Sequence, residues 1–380
     1  MIKQEINELK RLYTPSNCSI TRICGCYVDG EKNKKTEFKE AFLSLPEEEI
    51  FKYFELLRKT LSGSLGKNLL NLDFPLASEQ EGGTQAALLA LRDSKLKDDA
   101  LIEEFYDRVI NTYEYVGNYL ILLIHDAYDV PGKTTDGLTM DDASDTVFEY
   151  IMCCICPVNL SKPGLSYDSI NNEFHNRIRD WVVEMPETGF LFPSFNDRAT
   201  DIHSTLFYSK NPEEAHSEFV ENILGCTLPL SAGTQKEAFQ ALIEETLGDE
   251  VEYEVVKNIH ENLTEMIEEH KEIPEPLTLD KHQVKNLFEK SSVSEEKLTD
   301  FDKLYDAAAG EDTSLFVNNV ANVRTFEVKT PDVVVKVNPE RADLVNTLQI
   351  DGKRCLVIEI NDHVEVNGIT IHQGVSLEDA

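Results

Sequence analysis

The sequence predicts an α+β protein with three regions: an antiparallel-sheet N-terminal domain with flanking helices (1–211), an acidic helical middle region (212–312) and a small C-terminal antiparallel β meander (313–380). Three observations predict this. Strand-like segments follow one another in the first region without helices between them, which favours an antiparallel sheet over a Rossmann sheet. In the second region the apolar residues recur with the period of a helix. In the third, an Asp-Gly and an Asn-Gly hairpin signal lie close together.

The N-terminal region begins with a short polar helix. A strand over Ser19–Val28 reverses at Asp29-Gly30 into a strand over Thr36–Leu43. Pro46 and the three glutamates after it mark a helix start, because proline lacks only an N–H that is unpaired there and carboxylates favour the positive end of the helix dipole. The further predicted elements are helices within Glu79–Arg92 and Asp98–Tyr115, and strands over Tyr119–Val130, Val147–Leu160, Asp180–Met185 and His203–Tyr208.

The middle region is predicted to be helical from its beginning. Asn211, Pro212 and the two glutamates that follow give a cap, a proline and an acidic first turn in order. Two helices follow, and the two prolines of Ile273–Leu277 end the second. Helices resume near Leu279–Lys290 and Ser294–Ala309. The apolar faces of the first two helices consist of Ala238, Phe239, Leu242, Ile243 and Leu247, and of Val255, Val256, Ile259, Leu263, Met266 and Ile267.

The C-terminal region is predicted to contain short antiparallel strands. Two hairpin turns, Asp351-Gly352 and Asn367-Gly368, separate apolar runs of strand length. Such closely spaced turns are typical of a small meander. The predicted strands are Asp332–Val337, Asn346–Ile350, Lys353–Ile360 and His363–Val366.

The charge balance of the chain is strongly acidic. Acidic residues outnumber basic ones by 70 to 36, which gives a formal charge of −34 over 380 residues. Residues 1–60 are near neutral, with 11 bases and 10 acids, whereas residues 212–272 hold 16 acids and three bases. This excludes a generally basic nucleic-acid coat, because neutralising phosphates requires a surplus of Lys and Arg. Nucleic acid is therefore disfavoured as a partner, although a local basic site stays open.

The sequence predicts neither a membrane nor an export role. Its most apolar stretches, Tyr119–Ile124 and Ile151–Val158, are far shorter than the roughly 18–20 residues that span a bilayer. The first residues, MIKQEINELKRLY, carry charges throughout and lack an apolar signal core. We therefore expect a cytoplasmic protein without membrane contact, whose eight cysteines are mostly reduced thiols.

The cysteines offer a weak candidate for a metal site. Cys24 and Cys26 form a C-x-C pair, and Cys153, Cys154 and Cys156 form a cluster. In strands, Cys24 and Cys26 would share one face, as would Cys154 and Cys156, and together these four could supply thiolates to zinc. Structural zinc sites more often use C-x₂-C knuckles, which this chain lacks. The alternative is that the thiols are small apolar side chains in a sheet core.

The richest polar cluster is the loop Pro193–His203. Asp201 and His203 would face the same side of a strand and Asp197 could reach them, so oxygen and nitrogen ligation of a metal is chemically feasible. The same residue types also serve as ordinary loop caps. The polar side chains of this candidate site are Asn196, Asp197, Arg198, Asp201 and His203.

A second candidate contact lies slightly earlier in the chain. Arg177, Arg179 and Trp181 alternate near a predicted strand start. Planar guanidinium groups beside an aromatic ring could hold a phosphate or a stacked base. The alternative is a salt-bridged edge strand with a half-buried tryptophan.

Catalytic motifs are missing from the sequence. It contains no G-x-S-x-G elbow, H-E-x-x-H or H-R-D pattern. His125 and Asp126 follow an apolar strand, but neighbouring strand residues face opposite sides, so they make a weak pair. We therefore favour a protein that is not an enzyme, and we predict no cofactor.

Five runs resemble the bacterial domain-of-unknown-function family 4317 over nearly the whole chain. They are ITRICGCYVDGEKN (Ile20–Asn33), GNYLILLIHDAYDVPGKT (Gly117–Thr134), CPVNLSKPGLSY (Cys156–Tyr167), RIRDWVVEMPETGFLFPSFNDR (Arg177–Arg198) and FEVKTPDVVVKVNPER (Phe326–Arg341). That family has no established activity, so the resemblance implies no catalytic residue. More distantly, in order of elements only, the chain is similar to the bacterial thirty-seven-kilodalton nucleoid-associated proteins.

Three functional hypotheses follow. The first is a non-enzymatic interaction protein, and a nucleoid role is one version of this hypothesis. In it the near-neutral N-terminal part contacts an unidentified protein partner, and the acidic helices keep the assembly soluble. The second is a metal-dependent hydrolase or phosphoesterase that uses Asp197, Asp201 and His203. The third is a negative surface over residues 212–312 that attracts a basic partner. None of them fixes an oligomeric state.

Overall fold

The computed structural model describes residues 1–133, 139–140, 146–248, 251–322, 324–360, 364–366 and 369–371. The chain forms two compact units, Met1–Gly233 with Pro274–Pro276, and Thr234–Ile273 with Leu277–Ala380. The predicted α+β class is confirmed, with a large antiparallel sheet in the first half, helices in the middle and small antiparallel sheets at the end. The three-region division stays a prediction.

The first unit combines one large sheet with short helices. Its helices are α1 (Lys3–Leu12), α2 (Glu47–Thr60), α3 (Thr84–Asp93), α4 (Asp99–Thr112) and α5 (Ser217–Phe219), the last continued by a π-helical segment, Val220–Leu224. Its strands are β1 (Ile20–Val28), β2 (Lys34–Ala41), β3 (Leu69–Asp73), β4 (Asn118–Val130), β5 (Gly132–Lys133), β6 (Thr139–Met140), β7 (Thr146–Leu160), β8 (Leu165–Asp168), β9 (Glu173–Asn176), β10 (Trp181–Val183), β11 (Thr188–Phe192), β12 (Ser194–Asn196), β13 (Ala199–Asp201) and β14 (Ser204–Ser209).

The large sheet has the order β2-β1-β4-β7-β11-β14-β3, with β10 added to the far end of β7. Neighbouring strands in it run antiparallel. The long strands β4 and β7 pair along nearly their whole lengths, from Asn118 opposite Val158 to Val130 opposite Thr146. This places the two most apolar segments of the sequence at the centre of the sheet.

Helices cover both faces of this sheet. Leu120 and Leu122 face a core that includes residues of α1 and α2, whereas Ile121 and Leu123 face a core that includes residues of α3 and α4. A strand buried on both faces needs apolar residues at every position rather than at every second one. The uninterrupted run YLILLI of β4 is therefore the consequence of a three-layer arrangement.

The predicted helix start at Asn211 is wrong. The backbone N–H of Glu214 donates to the Asn211 carbonyl at 3.1 Å and closes a turn, and the helix begins only at Ser217. His216 has a left-handed backbone (φ 50°), which a continuous helix cannot contain. The carboxylate of Glu213 instead accepts hydrogen bonds from Ser231 Oγ (2.5 Å) and from the backbone N–H of Gly233 (2.9 Å).

The second unit contains the remaining helices and several two-stranded sheets. Its helices are α6 (Ala232–Leu247, which enters this unit at Thr234), α7 (Tyr253–Glu269), α8 (Lys281–Lys290), α9 (Phe301–Ala308) and α10 (Val317–Val320), with a 3₁₀ segment at Pro339–Leu344. Its strands are β15 (Thr278–Leu279), β16 (Leu315–Phe316), β17 (Phe326–Lys329), β18 (Val334–Val337), β19 (Val345–Ile350), β20 (Lys353–Ile358), β21 (Val364–Val366) and β22 (Ile369–Ile371).

The predicted apolar faces of α6 and α7 are buried at their centres, as Leu242 and Leu263 show. The last of the predicted helices, α9, starts at Phe301, seven residues later than predicted, because residues 295–300 form turns. Among the described residues, the C-terminal strands form the separate hairpins β17–β18, β19–β20 and β21–β22 rather than one continuous meander. Asn367 and Gly368 lie outside the described residues. No helix in the described ranges has the length and apolar character needed to cross a bilayer.

Candidate interaction surface

The predicted polar loop is a tight hairpin between β12 and β13. Asp197 and Arg198 form its turn, with φ of 51° and 56°. The carboxylate of Asp201 accepts hydrogen bonds from Asn196 Nδ2 (2.6 Å) and Ser204 Oγ (2.8 Å) through Oδ2. Through Oδ1 it accepts one from the backbone N–H of residue 203 at 3.0 Å. The carboxylate therefore links β12 to the residues that follow β13 through three hydrogen bonds.

The other members of this cluster bind elsewhere in the first unit. His203 Nδ1 lies 2.6 Å from Glu79 Oε1, and Arg198 Nη2 lies 2.9 Å from Glu8 Oε1. Within the part of the chain that the structure describes, no three His, Cys, Asp or Glu side chains come close enough together to hold a metal ion. The geometry thus gives Asp201 a structural role, and the hydrolase hypothesis stays a prediction.

We expect Asp201→Asn to lower the free energy of unfolding by roughly 1–3 kcal/mol at pH 7, since an amide N–H₂ would face hydrogen-bond donors. Burial opposes ionisation, but hydrogen bonds from Ser204, Asn196 and the backbone of His203 lower the pKa of Asp201 overall. The deficit should therefore be complete above the unfolded pKa of about 4 and shrink as the pH falls through the lower folded value. Urea denaturation across pH measures it.

Asp197→Asn is the matched control, because Asp197 belongs to the same hairpin and is exposed. An equal loss of stability in both variants would contradict the structural role of Asp201. Elemental analysis of the parent protein provides the second check: stoichiometric metal that Asp201→Asn loses would favour the hydrolase.

The four thiols proposed as zinc ligands do not share a site. Cys24 lies opposite Leu123 in the β1–β4 ladder, and Leu123 lies opposite Cys153, so these side chains occupy one face of the sheet. Cys26 shares that face, whereas Cys154 and Cys156 belong to the core on the other face. Burial raises the pKa of Cys24 to about 11 and the pKa of Cys154 to about 12, so both are neutral thiols. The core interpretation of the thiols fits this placement.

The second candidate contact, by contrast, lies on a distinctive element. Arg177, Arg179 and Trp181 belong to a β arm, residues 159–185, that continues from the end of β7. Trp181 lies opposite Leu160 in the β7–β10 ladder. Beyond this ladder, β8 and β9 form an antiparallel hairpin in which Tyr167 lies opposite Phe174.

Hydrogen bonds order the arm along its length. The backbone N–H of Ser161 donates to the Asp180 carbonyl (2.8 Å), and that of Arg177 donates to Gly164 (2.9 Å). Arg179 Nε donates to the Ser161 carbonyl at 2.7 Å. The arm is therefore built from paired strands.

Nearly all of the arm is exposed, although much of it is apolar. Every residue from 169 to 185 is exposed. The most exposed large apolar side chain of the arm is Ile170 at 90%, and Trp181 is 55% exposed. Monomeric soluble proteins rarely expose large contiguous apolar patches, and such patches usually mark interaction sites. The exposed apolar side chains of the arm are Leu160, Leu165, Tyr167, Ile170, Phe174, Ile178, Trp181, Val182, Val183 and Met185.

The arm also differs from most of the chain in charge. Residues 159–185 hold four acids and three bases, so the arm is close to neutral in a chain of net charge −34. Neither Arg177 nor Arg179 makes an ion pair within the described residues. The salt-bridged edge predicted as one alternative is thus not the arrangement that the structure shows. Both arginine residues are exposed.

The histidine–aspartate pair lies within β4 rather than after the strand, and it is buried and divided between the two faces. His125 lies opposite Ile151, and Asp126 lies opposite Tyr150, whose hydroxyl donates to Asp126 Oδ2 at 2.7 Å. The Tyr13 hydroxyl lies 3.0 Å from that of Tyr150. This network was not predicted, because a contact across 137 residues leaves no local pattern in the sequence. It contains no exposed group that could reach a substrate.

Comparison with known proteins provides a family assignment. A family model described as a domain of unknown function (DUF4317) matches residues 1–369. The chain belongs to the DUF4317 family. The family resemblance that the sequence motifs indicated is thereby confirmed. A search of the curated proteins found no match.

The DUF4317 match includes the whole arm and every named element from α1 to β21. The similarity to nucleoid-associated proteins stays a prediction. The exposed side chains of the DUF4317 arm were missed because Asp180–Met185 has the composition of an ordinary strand, and exposure depends on what packs against it. The signal that could have found the arm is the single proline, the single glycine and the four asparagines among its apolar residues.

Proposed function

We propose that this protein is a cytoplasmic interaction protein that acts by assembling with other protein chains through its β arm. The observation that carries the proposal is the arm itself: an ordered set of paired strands whose apolar side chains are exposed. The eight cysteines, all of them within the described ranges and unpaired, fit a reducing compartment.

The edges of the arm favour strand addition. Trp181–Val183 pairs with β7 on one side, and the opposite edge is unpaired among the described strands. An open strand edge is a template for another strand, where backbone hydrogen bonds supply affinity and alternate side chains supply specificity.

We propose a second copy of the chain as the occupant of the arm, which it would contact at the open strand edge and on the exposed apolar side chains. Identical strands can always pair antiparallel across a two-fold axis, which makes such a contact self-complementary. Two chains of net charge −34 repel one another, and the near-neutral arm is a place where that repulsion is locally weak. A fully buried aromatic side chain removes roughly 150–250 Å² from water, and the three aromatic side chains Tyr167, Phe174 and Trp181 of the arm are each more than half exposed. With the aliphatic side chains and the strand backbone, the arm approaches the ~800 Å² per partner of a standard interface.

Sedimentation velocity tests this proposal. We expect the parent protein to sediment at twice its 43.1 kDa chain mass at micromolar concentration. The triple variant Ile170→Ser, Phe174→Ser, Ile178→Ser should raise the dimer dissociation constant at least ~100-fold, because apolar anchors dominate interface energies. Circular dichroism should be unchanged, since the three side chains are exposed.

The matched control is Leu76→Ser with Val116→Ser, two exposed apolar side chains outside the arm. It should remain dimeric. A monomeric parent at ~100 μM, or a dimer that persists in the arm variant, would contradict the proposal. Salt-sensitive binding of a single-stranded oligonucleotide by a monomeric parent, abolished by Arg177→Gln with Arg179→Gln, would replace it with the nucleic-acid contact.

A further inference from the structure

A cavity of about 520 Å³ lies wholly within the second unit. Residues of α6, α7 and β17 line it, among them the aromatic side chains of Phe239, Tyr253 and Phe326. The rings of Tyr253 and Phe326 are 6.4 Å apart and nearly perpendicular. A volume of this size falls in the range of small-molecule sites, which are typically apolar with a few convergent polar groups.

The polar groups of this cavity are unusually basic for this chain. Residues 212–272 contain only three bases, Lys236, Lys257 and Lys271, against 16 acids. Two of the three, Lys236 and Lys257, line the cavity, together with Lys329 and His260. If charged residues lined the cavity in the proportion found in this acidic segment, most of them would be carboxylates. The cavity therefore concentrates positive charge in the most negative part of the molecule.

The acidic residues of the cavity cancel only part of this charge, because three lysines line it. Two glutamates line it, Glu261 and Glu327. Glu327 is paired with Lys336 at 3.0 Å. Glu261 Oε1 is 3.9 Å from Lys257 Nζ, and the same ammonium group donates to Asn346 Oδ1 at 3.1 Å.

Lys257 and His260 are the inner members of the set. Lys257 is only 7% exposed, so its charge is partly desolvated and interacts strongly with an ion that enters. Burial, reinforced by the ammonium of Lys236, lowers the pKa of His260. The imidazole is thus neutral at pH 7 and lies against the edge of Phe326, with ring centroids 6.3 Å apart.

We propose that this cavity binds an anionic aromatic ligand of the size of a nucleoside monophosphate. The lysines would neutralise the anion, and the rings of Tyr253 and Phe326 would contact the planar group. Charge-assisted contacts to lysine together with aromatic contacts form a common basis for recognising such ligands. This site is independent of the arm and of the proposed function.

Isothermal titration with adenosine 5′-monophosphate, inorganic phosphate and adenosine tests the proposal on the full-length protein. We expect adenosine monophosphate to bind more tightly than either part, with an affinity that falls as salt screens the lysines. The double variant Lys236→Gln, Lys329→Gln should weaken it at least tenfold. Both side chains are exposed, so the fold should be preserved.

Lys271→Gln is the matched control, because Lys271 is the third base of the segment, is exposed and does not line the cavity. It should bind like the parent. Phe326→Leu separates the two contacts and should weaken the nucleotide but not phosphate. In NMR titrations the pKa of His260 should rise when the nucleotide is bound, because an anion favours the imidazolium. Absence of binding at 10 mM nucleotide, or equal binding by the double variant, would overturn the proposal.

Discussion

Gly189→Ala is expected to lower the free energy of unfolding by roughly 3 kcal/mol, the upper end of the usual cost of overpacking a core. Gly189 lies in β11, opposite Cys154 of β7 and Tyr208 of β14. A Cβ at this position would lie 2.4 Å from the Cys153 carbonyl oxygen and 2.8 Å from Thr60 Cγ2. The first of these atoms is backbone, held by ladders on both sides of the strand, so it cannot move aside as a flexible side chain could.

Gly164→Ala supplies the control for this substitution. Gly164 lies in the arm, and a Cβ built there has no neighbouring heavy atom within 4 Å. Chemical denaturation of both variants should show a large fall in stability for Gly189→Ala and a small change for Gly164→Ala. Similar stabilities would mean that β7 and β11 are not packed as closely as the structure shows.

The sequence predicted the sheet because the sheet depends on local pattern. The apolar runs around Ile121 and Ile155 are long enough to identify β4 and β7, and Asp29-Gly30 identifies the first hairpin. The short strands β3 and β11 were not predicted. Five residues such as Thr188–Phe192 carry too little periodicity to separate a strand from a buried loop. Their positions depend on contacts with distant strands.

The candidate sites show the same division between local and distant information. Composition located the polar hairpin around Asp201, but partners outside the hairpin, such as Glu79, decide what its side chains do. The exposure of Ile170 and the convergence of Lys236 with Lys329 are tertiary properties. A local sequence pattern cannot encode these properties, because the two lysines are more than ninety residues apart in the chain.

The second large effect concerns acid stability and His125. This side chain is fully buried, its Nδ1 lies 2.8 Å from Thr21 Oγ1, and its Nε2 has no hydrogen-bond partner within the described residues. The nearest opposite charge, Glu149, is 3.9 Å away and is itself paired with Lys95 at 2.8 Å. Burial lowers the pKa of His125 to about 4, against the partial opposition of Glu149 and with reinforcement by Lys95, Arg92 and Lys97.

The sign of the effect follows from proton uptake. Between about pH 6.5 and 4 the unfolded chain binds a proton at residue 125 that the folded chain excludes, so stability is lost as the pH falls through this window. The lowering of the His125 pKa from about 6.5 to about 4 corresponds to a loss of about 3 kcal/mol in the free energy of unfolding. His125→Phe keeps a ring at this buried position but cannot titrate. The unfolding free energy of this variant should therefore fall less steeply than that of the parent as the pH is lowered. The exposed His175→Gln serves as the control and should follow the parent. Parallel curves for the parent and His125→Phe would show that His125 is not the group through which acid destabilises the sheet.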